Sequence, residues 1–383
     1  MTEPLLEPVS VIDPNTDAIR PEEGIALCLS GGGYRAMLFH LGTLIRLNEI
    51  GLLERVNRVS SVSGGSITAA QLGLKWRGLK FINGVAQNIS DLVINPIRVF
   101  GERTIDAQSI FGGIFLPGTI SDKVTNAYKK HLYGVASLQD LPGTGEGPRF
   151  VINATNVQTG ALWRFSRPYM GDYKTGRVFN PSLPIATAVA ASSAFPPVLS
   201  PLVMKLNHQD FVIDPKATLQ VPPYTTEVVL SDGGVYDNLG LETAWKRYKS
   251  ILVSDGGGQM APQPKPRRDW AGHALRINGV IDNQVRSLRK RQVIAAFQAG
   301  TEHNGAYWGI RSHIKDFSAA IPLSCPEDRT TELAETPTRL KGLPLEYQDR
   351  LINWGYAVSA AATETHFPGP LKAAIQFPYP NGV

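Results

Sequence analysis

The chain has 383 residues, 43% hydrophobic and 19% charged, with 38 Lys and Arg against 33 Asp and Glu. Such a balance excludes a disordered or fibrous chain and is ample for a globular core. A net charge of +5 without a recognition motif excludes a dedicated nucleic-acid binder, and the two cysteines, Cys28 and Cys325, exclude a disulfide framework. Residues 1–22 carry Pro4, Pro8, Pro14 and Pro21 and predict an extended arm. With Glu3, Glu7 and Asp13 and no apolar h-region, this end has no secretory pattern. Together with the two cysteines it sets the expectation of a cytoplasmic protein. No apolar run approaches the ~20 residues of a membrane-spanning helix.

Residues 24–70 then set two strand–glycine turn–helix units side by side. Ile25 to Leu29 predicts a buried strand, Gly31, Gly32 and Gly33 a turn, and Met37, Leu38, Leu41, Leu44, Ile45 and Leu47 a helix. After Gly51, Val56 and Val59 mark a second strand, which runs through Ser61-Val62-Ser63-Gly64-Gly65-Ser66 into an Ala-rich helix. Between 76 and 120, Phe81, Ile82, Val85, Ile89, Leu92, Val93 and Ile97 keep helical spacing until Phe111-Gly112-Gly113-Ile114-Phe115 breaks it. This segment reads as a core helix or as a cap that grips acyl chains. Residues 149–166 predict a hairpin turning at Val157-Gln158-Thr159. Residues 183–195 predict a small-residue helix stopped by Pro196-Pro197. Short strands lead into Asp232 and Asp255. The alternation of strands and helices predicts a largely parallel sheet covered on both faces, with chemistry at the carboxyl ends of its strands. Residues 342–365 predict further helix, and a Pro-containing tail starts at Phe367.

Ser63 sits where a nucleophile elbow would hold its serine, between a strand and a helix with small residues two before and two after. Ser61 stands where the elbow usually has Gly, and an ordinary glycine-rich turn has the same composition. The Gly31–Gly33 turn resembles the dinucleotide fingerprint, but the acid expected about 20 residues on is missing, since the second strand ends Val59-Ser60-Ser61. Beside an elbow serine, its N–H groups have another use, receiving the oxyanion of an acyl-transfer intermediate. A serine nucleophile needs a base. Asp232 and Asp255 each open an Asp-Gly-Gly, and His273, His303, His313 and His366 are available to a Ser-His-Asp triad. From the residues alone these stay open.

The set SGGGYRA, SSVSGGS and SDGGVYDNLG (231–240) resembles the patatin-like phospholipase family. That family's pattern is Gly-Gly-Gly-x-Arg-Gly, a Gly-x-Ser-x-Gly elbow and a later Asp-Gly-Gly or Asp-Gly-Ala. Ala190 to Pro197 is similar to its small-residue segment ending in proline. The resemblance covers about residues 24–255 and departs at Ser61 and Ala36, neither of them a reacting group. It implies a three-layer α/β/α core with a mostly parallel central sheet. An N-terminal arm (1–22), a catalytic core (23–260) and C-terminal helical elements on the same domain (261–383) are then expected. It implies hydrolysis of glycerophospholipid acyl esters by a Ser–Asp dyad without histidine. Ser63 would be the nucleophile and Asp232 the base, with Gly31, Gly32, Gly33, Arg35 and Gly64 forming the oxyanion hole, Arg35 as a brace. Neither metal nor cofactor is implied, and no cluster of His, Cys or carboxylates has ligand spacing. The implied partner is membrane phospholipid at the bilayer surface, not nucleic acid. Some bacterial relatives are cyclic-nucleotide-triggered defence effectors, so a small-molecule or nucleotide activator belongs to the expectation. The alternative is a catalytically silent lipid- or nucleotide-phosphate-binding protein in which the glycines hold phosphate and Ser63 is idle.

Residues 265–291 carry eight Lys and Arg, among them Arg286, Arg289, Lys290 and Arg291, against Asp269 and Asp282. They read either as a face for anionic headgroups or as the solvated side of a helix whose buried side is Val280, Ile281, Val285, Leu288, Val293 and Ile294.

Overall fold

The computed structural model describes residues 21–105, 119–197, 199–319, 321–367 and 371–383. All of the expected arm but Pro21 and Glu22, and the break at Phe111–Phe115, lie outside the described residues. In chain order the strands are β1 (Glu22–Leu29), β2 (Val56–Val62), β3 (Phe81–Ile82), β4 (Val85–Ala86), β5 (Arg149–Asn156), β6 (Ala161–Phe165), β7 (Tyr169–Asp172), β8 (Gly176–Phe179), β9 (Leu202–Lys205), β10 (Phe211–Val212), β11 (Glu227–Asp232), β12 (Tyr248–Asp255) and β13 (Asn304–Gly309). The helices are α1 (Gly33–Glu49), α2 (Gly64–Lys75), α3 (Asn95–Gly101), α4 (Thr119–Tyr128), α5 (Ile185–Ser192), α6 (Gly234–Asp237), α7 (Glu242–Trp245), α8 (Trp270–Ala299), α9 (Glu327–Glu335) and α10 (Leu345–His366).

Strand β1 explains the layering. Successive side chains of a strand point to opposite faces, and here both sets are apolar. Ile25, Leu27 and Leu29 join the larger core, with side chains of α1, α2 and α10. Ala26 and Cys28 join a smaller one with Ile251, Val253, Leu241, Ala244 of α7 and Val293 of α8. A strand that is apolar on both faces has to be covered on both, so the sheet is the middle of three layers. Its order is β10-β8-β7-β6-β5-β2-β1-β12-β13. The five strands from β5 to β13 run parallel, which is the expected parallel centre. Beyond β5 the sheet continues antiparallel through β6, β7, β8 and β10.

The C-terminal helix is part of the larger core. A Cβ on Gly42 of α1 would stand 1.9 Å from the Ile352 carbonyl oxygen, and one on Gly355 of α10 would stand 1.9 Å from that of Phe39. The two helices therefore cross backbone on backbone. Gly355→Ala is expected to cost about 1–3 kcal/mol through overpacking, read as a lower thermal midpoint. An unchanged midpoint would mean that the crossing has slack this geometry denies.

Two expectations are corrected. Residues 81–86 form a hairpin, not helix: Asn83 and Gly84 both take positive φ, 49° and 81°, as a two-residue Asn-Gly hairpin turn requires. After the hairpin, helical structure resumes at Ser90–Ile94. In α8, the residues expected on the buried side are exposed except for Val293. Its inner face is polar instead, because Arg286 donates to the Gly258 carbonyl at 2.5 Å and Lys290 pairs with Asp255 at 2.5 Å. Among the described residues, no helix is long and apolar enough to cross a membrane.

Candidate active site

Strand β2 ends at Val62 and α2 begins at Gly64, leaving Ser63 as the whole of the turn. It is held at φ 50°, ψ −119°, a conformation that costs a non-glycine residue about 1–3 kcal/mol. The glycines after it let the helix approach. A Cβ on Gly64 would lie 2.1 Å from the Gly33 carbonyl oxygen, and one on Gly65 would lie 2.3 Å from that of Leu29. Serine in place of glycine at 61 is accommodated because its hydroxyl donates to the Val151 carbonyl at 3.3 Å and accepts from Ser66 at 3.0 Å.

Asp232 reaches Ser63 by a route the sequence did not suggest. Strand β2 pairs in parallel with the first part of β5, ending with Val62 opposite Asn153. Strand β11 takes the next part of that same edge, but antiparallel, with Leu230 opposite Asn156 and Asp232 opposite Ala154. Strand β6 occupies the other edge. The carboxyl ends of β2 and β11 thus meet head to head along β5. The last residue of α5 and the turn after it clasp both. Ser192 Oγ accepts the Ser63 N–H at 2.9 Å. The carbonyl of Ser192 accepts from Gly233 N–H at 3.3 Å, and that of Ala194 from Asp232 N–H at 2.9 Å.

The Asp232 carboxyl is almost wholly buried, at 2% exposure. Burial pushes its pKa up to about 7, against the downward pull of the Gly234 N–H and the Ser63 hydroxyl. Its Oδ1 accepts from Gly234 N–H at 2.7 Å. Oδ2 has no partner in full hydrogen-bond geometry, although the Ser63 hydroxyl is near enough to act on the carboxyl. Such contacts tighten when substrate arrives. Asp255 has the opposite setting. It too is buried, but Lys290 and Arg286 outweigh the burial and hold its carboxyl below the usual range. Its oxygens are taken by Lys290, by the Tyr307 hydroxyl at 2.8 Å and by the Gly257 N–H at 2.9 Å.

The glycine turn lies against the elbow, where a Cβ on Gly31 would come within 3.1 Å of that of Ser63. Gly32 and Gly33 both have positive φ, 147° and 61°, which glycine adopts readily. Not all of the expected oxyanion block keeps a free donor. The Gly31 N–H is spent on the Asn238 carbonyl at 3.0 Å. Those of Gly32, Gly33 and Gly64 donate to nothing among the described residues. Arg35 is a brace, not a donor to the site. It bonds the Gly256 carbonyl at 3.0 Å, the Thr336 carbonyl and the Thr338 hydroxyl at 3.0 Å, tying the turn to the chain beyond α9.

No histidine hydrogen-bonds Ser63 or Asp232 among the described residues. His40 is held by the Ser30 carbonyl at 2.9 Å and the Ser254 hydroxyl at 2.8 Å, and burial pushes its pKa down to about 4. His303 lies against Trp245, His313 pairs with Glu327, and His366 packs on Phe317. No group of three or more His, Cys, Asp or Glu among the described residues could hold a metal ion. Two clefts of about 500 and 830 Å³ lie around Asn57 and Arg55, by the amino ends of the strands, away from Ser63. Ser63 itself is 7% exposed. The contribution the sequence reading missed is that of Ser192 and Asn238. The Ala190–Pro197 segment pointed at the first without giving it a task. A serine on a strained turn, a buried carboxyl with a raised pKa and unengaged N–H groups at a helix start are a set that can run acyl transfer.

A family model described as patatin-like phospholipase matches residues 27–245. A search of curated proteins returns no match. Among solved structures, human GIVD cytosolic phospholipase A2 is similar with a TM-score of 0.54 at 14% identity, over 91% of this chain and 59% of that one. The same human protein in complex with methyl gamma-linolenyl fluorophosphonate inhibitor and terbium chloride gives a TM-score of 0.52 at 14% identity, over 89% and 58%. At such identity the likeness is one of fold, a mixed α/β core with a mostly parallel central sheet. The chain spans less than two thirds of the length of the human protein.

Proposed function

Because the chain belongs to the patatin-like phospholipase family, we propose that it hydrolyses acyl esters of glycerophospholipids at a bilayer surface, with Ser63 as nucleophile and Asp232 as base. The observation that carries this reading is the Asp232 carboxyl, buried, with a pKa near 7 and Oδ2 unengaged, beside a serine on a strained turn. A carboxylate of ordinary pKa near 4 is a weak base; one near 7 matches the working pH of a general base.

In the first half-reaction Asp232 takes the Ser63 proton as Oγ attacks the ester carbonyl. The oxyanion forms against the N–H groups of Gly32, Gly33 and Gly64. Its collapse breaks the ester bond, and the leaving alkoxide takes the proton from Asp232. In the second, Asp232 deprotonates a water that attacks the acyl-serine; the acyl–Oγ bond breaks, Ser63 Oγ takes the proton back from Asp232, and the fatty acid leaves. Arg35 and the Gly31–Asn238 bond keep the donors in place. The burial of Ser63, 7% exposed, supports a regulated enzyme, opened by a small-molecule or nucleotide activator or by the bilayer itself. A cytoplasmic location is part of the proposal, and the free thiols Cys28 and Cys325 are compatible with it.

A fluorophosphonate probe tests the reading against a silent phosphate-binding protein. Stoichiometric labelling that disappears in Ser63→Ala is the expected result. A folded parent protein that stays unlabelled in the presence of phospholipid vesicles would leave the serine idle and sink the proposal.

A further inference from the structure

Helix α8 is turned the wrong way round for a helix in water. Trp270, Ala274, Ile277, Ile281, Val285 and Leu288 are spaced three or four apart and make one stripe. All six are exposed, Trp270 at 85% and Ile281 and Leu288 at 56% each. Of the thirty residues only Val293 is buried. The polar side faces inward, where Arg286 bonds Gly258, Arg289 pairs with Glu242 at 3.4 Å and Lys290 with Asp255. At about 1.5 Å per residue the helix is about 45 Å long. The stripe covers the part from Trp270 to Leu288, about 27 Å, and an exposed apolar strip of this extent marks an interaction surface.

Charge says what covers it. Of the eight Lys and Arg in residues 265–291, four have carboxylate partners: Arg267, Arg286, Arg289 and Lys290. Lys265, Arg268, Arg276 and Arg291 have none among the described residues. Lys265 and Arg268 lie five and two residues before Trp270, and Arg291 follows Leu288 by about one turn. A second copy of the helix would bring like charges together beside the seam, which is unfavourable. An anionic lipid surface satisfies both features at once, taking apolar side chains below the headgroups and cations at the phosphates. Tryptophan at one end suits that boundary.

The inner face of α8 also borders the site. Arg286 and Lys290 hold residues 255–258, and the Gly256 carbonyl in that loop anchors Arg35. Asp282 is close enough to Asp232 to act on its carboxyl.

We propose that the outward face of α8 docks on anionic bilayers, its apolar stripe at the headgroup–acyl boundary and its unpaired cations on lipid phosphates, holding the rim of the active site at the lipid. Its purpose rests on the phospholipid hydrolase reading; the docking itself is measured separately. Vesicles of phosphatidylcholine with and without phosphatidylglycerol are sedimented with the intact protein, with Ile281→Asp/Leu288→Asp and with Arg268→Glu/Arg291→Glu. The parent is expected to bind the anionic vesicles, more weakly as salt rises. Each double variant, at exposed positions that leave the fold alone, is expected to bind at least ~10-fold more weakly. Hydrolysis of a soluble short-chain ester is expected to stay within about twofold, since neither pair touches the site. A parent that ignores anionic vesicles, or variants that bind like the parent, overturns the docking. So does a parent that sediments as a dimer without lipid when Ile281→Asp/Leu288→Asp is a monomer, because the face then belongs to a second copy. Vesicle binding without ester hydrolysis or probe labelling overturns the hydrolase reading and leaves the docking standing.

Discussion

Replacing Ser63 with alanine is expected to lower hydrolysis of phospholipid and soluble ester alike by more than about 10⁴-fold, the scale on which loss of a nucleophile is felt. A bystander serine would leave both rates near the parent's. The turn adds a second readout. Alanine at φ 50° is as strained as serine, whereas glycine takes that conformation without a Cβ clash. Ser63→Gly should therefore be equally inactive yet unfold at a higher temperature than Ser63→Ala, by a share of the ~1–3 kcal/mol stored in the backbone. Equal midpoints, or residual turnover in either variant, would count against an elbow held under strain for the sake of the nucleophile.

Asp232→Asn should reduce turnover at least ~100-fold, the usual contribution of a positioned base. The parent should also show a pH dependence of definite sign. As the proposed base, Asp232 would act as the carboxylate, and burial raises its pKa to about 7. The rate kcat/KM should therefore climb about tenfold per pH unit below that point and level off above it. Asp255→Asn should keep this limb, because Lys290 and Arg286 hold the Asp255 carboxyl below its ordinary range and it does not titrate there. That variant should instead lose stability, since it leaves Lys290 without its partner. A flat profile between about pH 5 and 8, or a larger rate loss at Asp255 than at Asp232, would mean that the base is misassigned.

The first two strand–turn–helix units were legible because glycines punctuate them and their apolar residues keep one period throughout. Ser63 was visible for the same reason. Asp232 was named through the family resemblance, but the direction of β11 was not: side-chain alternation looks the same in parallel and antiparallel strands. At Phe81–Ala86 the spacing of apolar residues pointed to helix while Asn83-Gly84 pointed to a hairpin, and the local turn prevailed. In α8 the pattern correctly announced an amphipathic helix. Which side faced inward was decided by partners far along the chain, Gly258, Asp255 and Glu242, and no periodicity carries that. Ser192 was hidden because a hydroxyl near the end of an alanine-rich helix has no signature of its own. Nor could the sequence show that Gly31 would give its N–H to Asn238.

The shared edge of β5 bears on how such an enzyme is switched. With β2 and β11 each hydrogen-bonded to one strand and the α5 turn bonded to both, moving Ser63 away from Asp232 means tearing sheet pairing. Each buried backbone group left unpaired costs about 1–3 kcal/mol. A switch that works by misaligning the reacting pair is therefore expensive here, and one that opens or shuts the way in is cheap. On the proposed reading, control would fall on access to a pair that stays assembled.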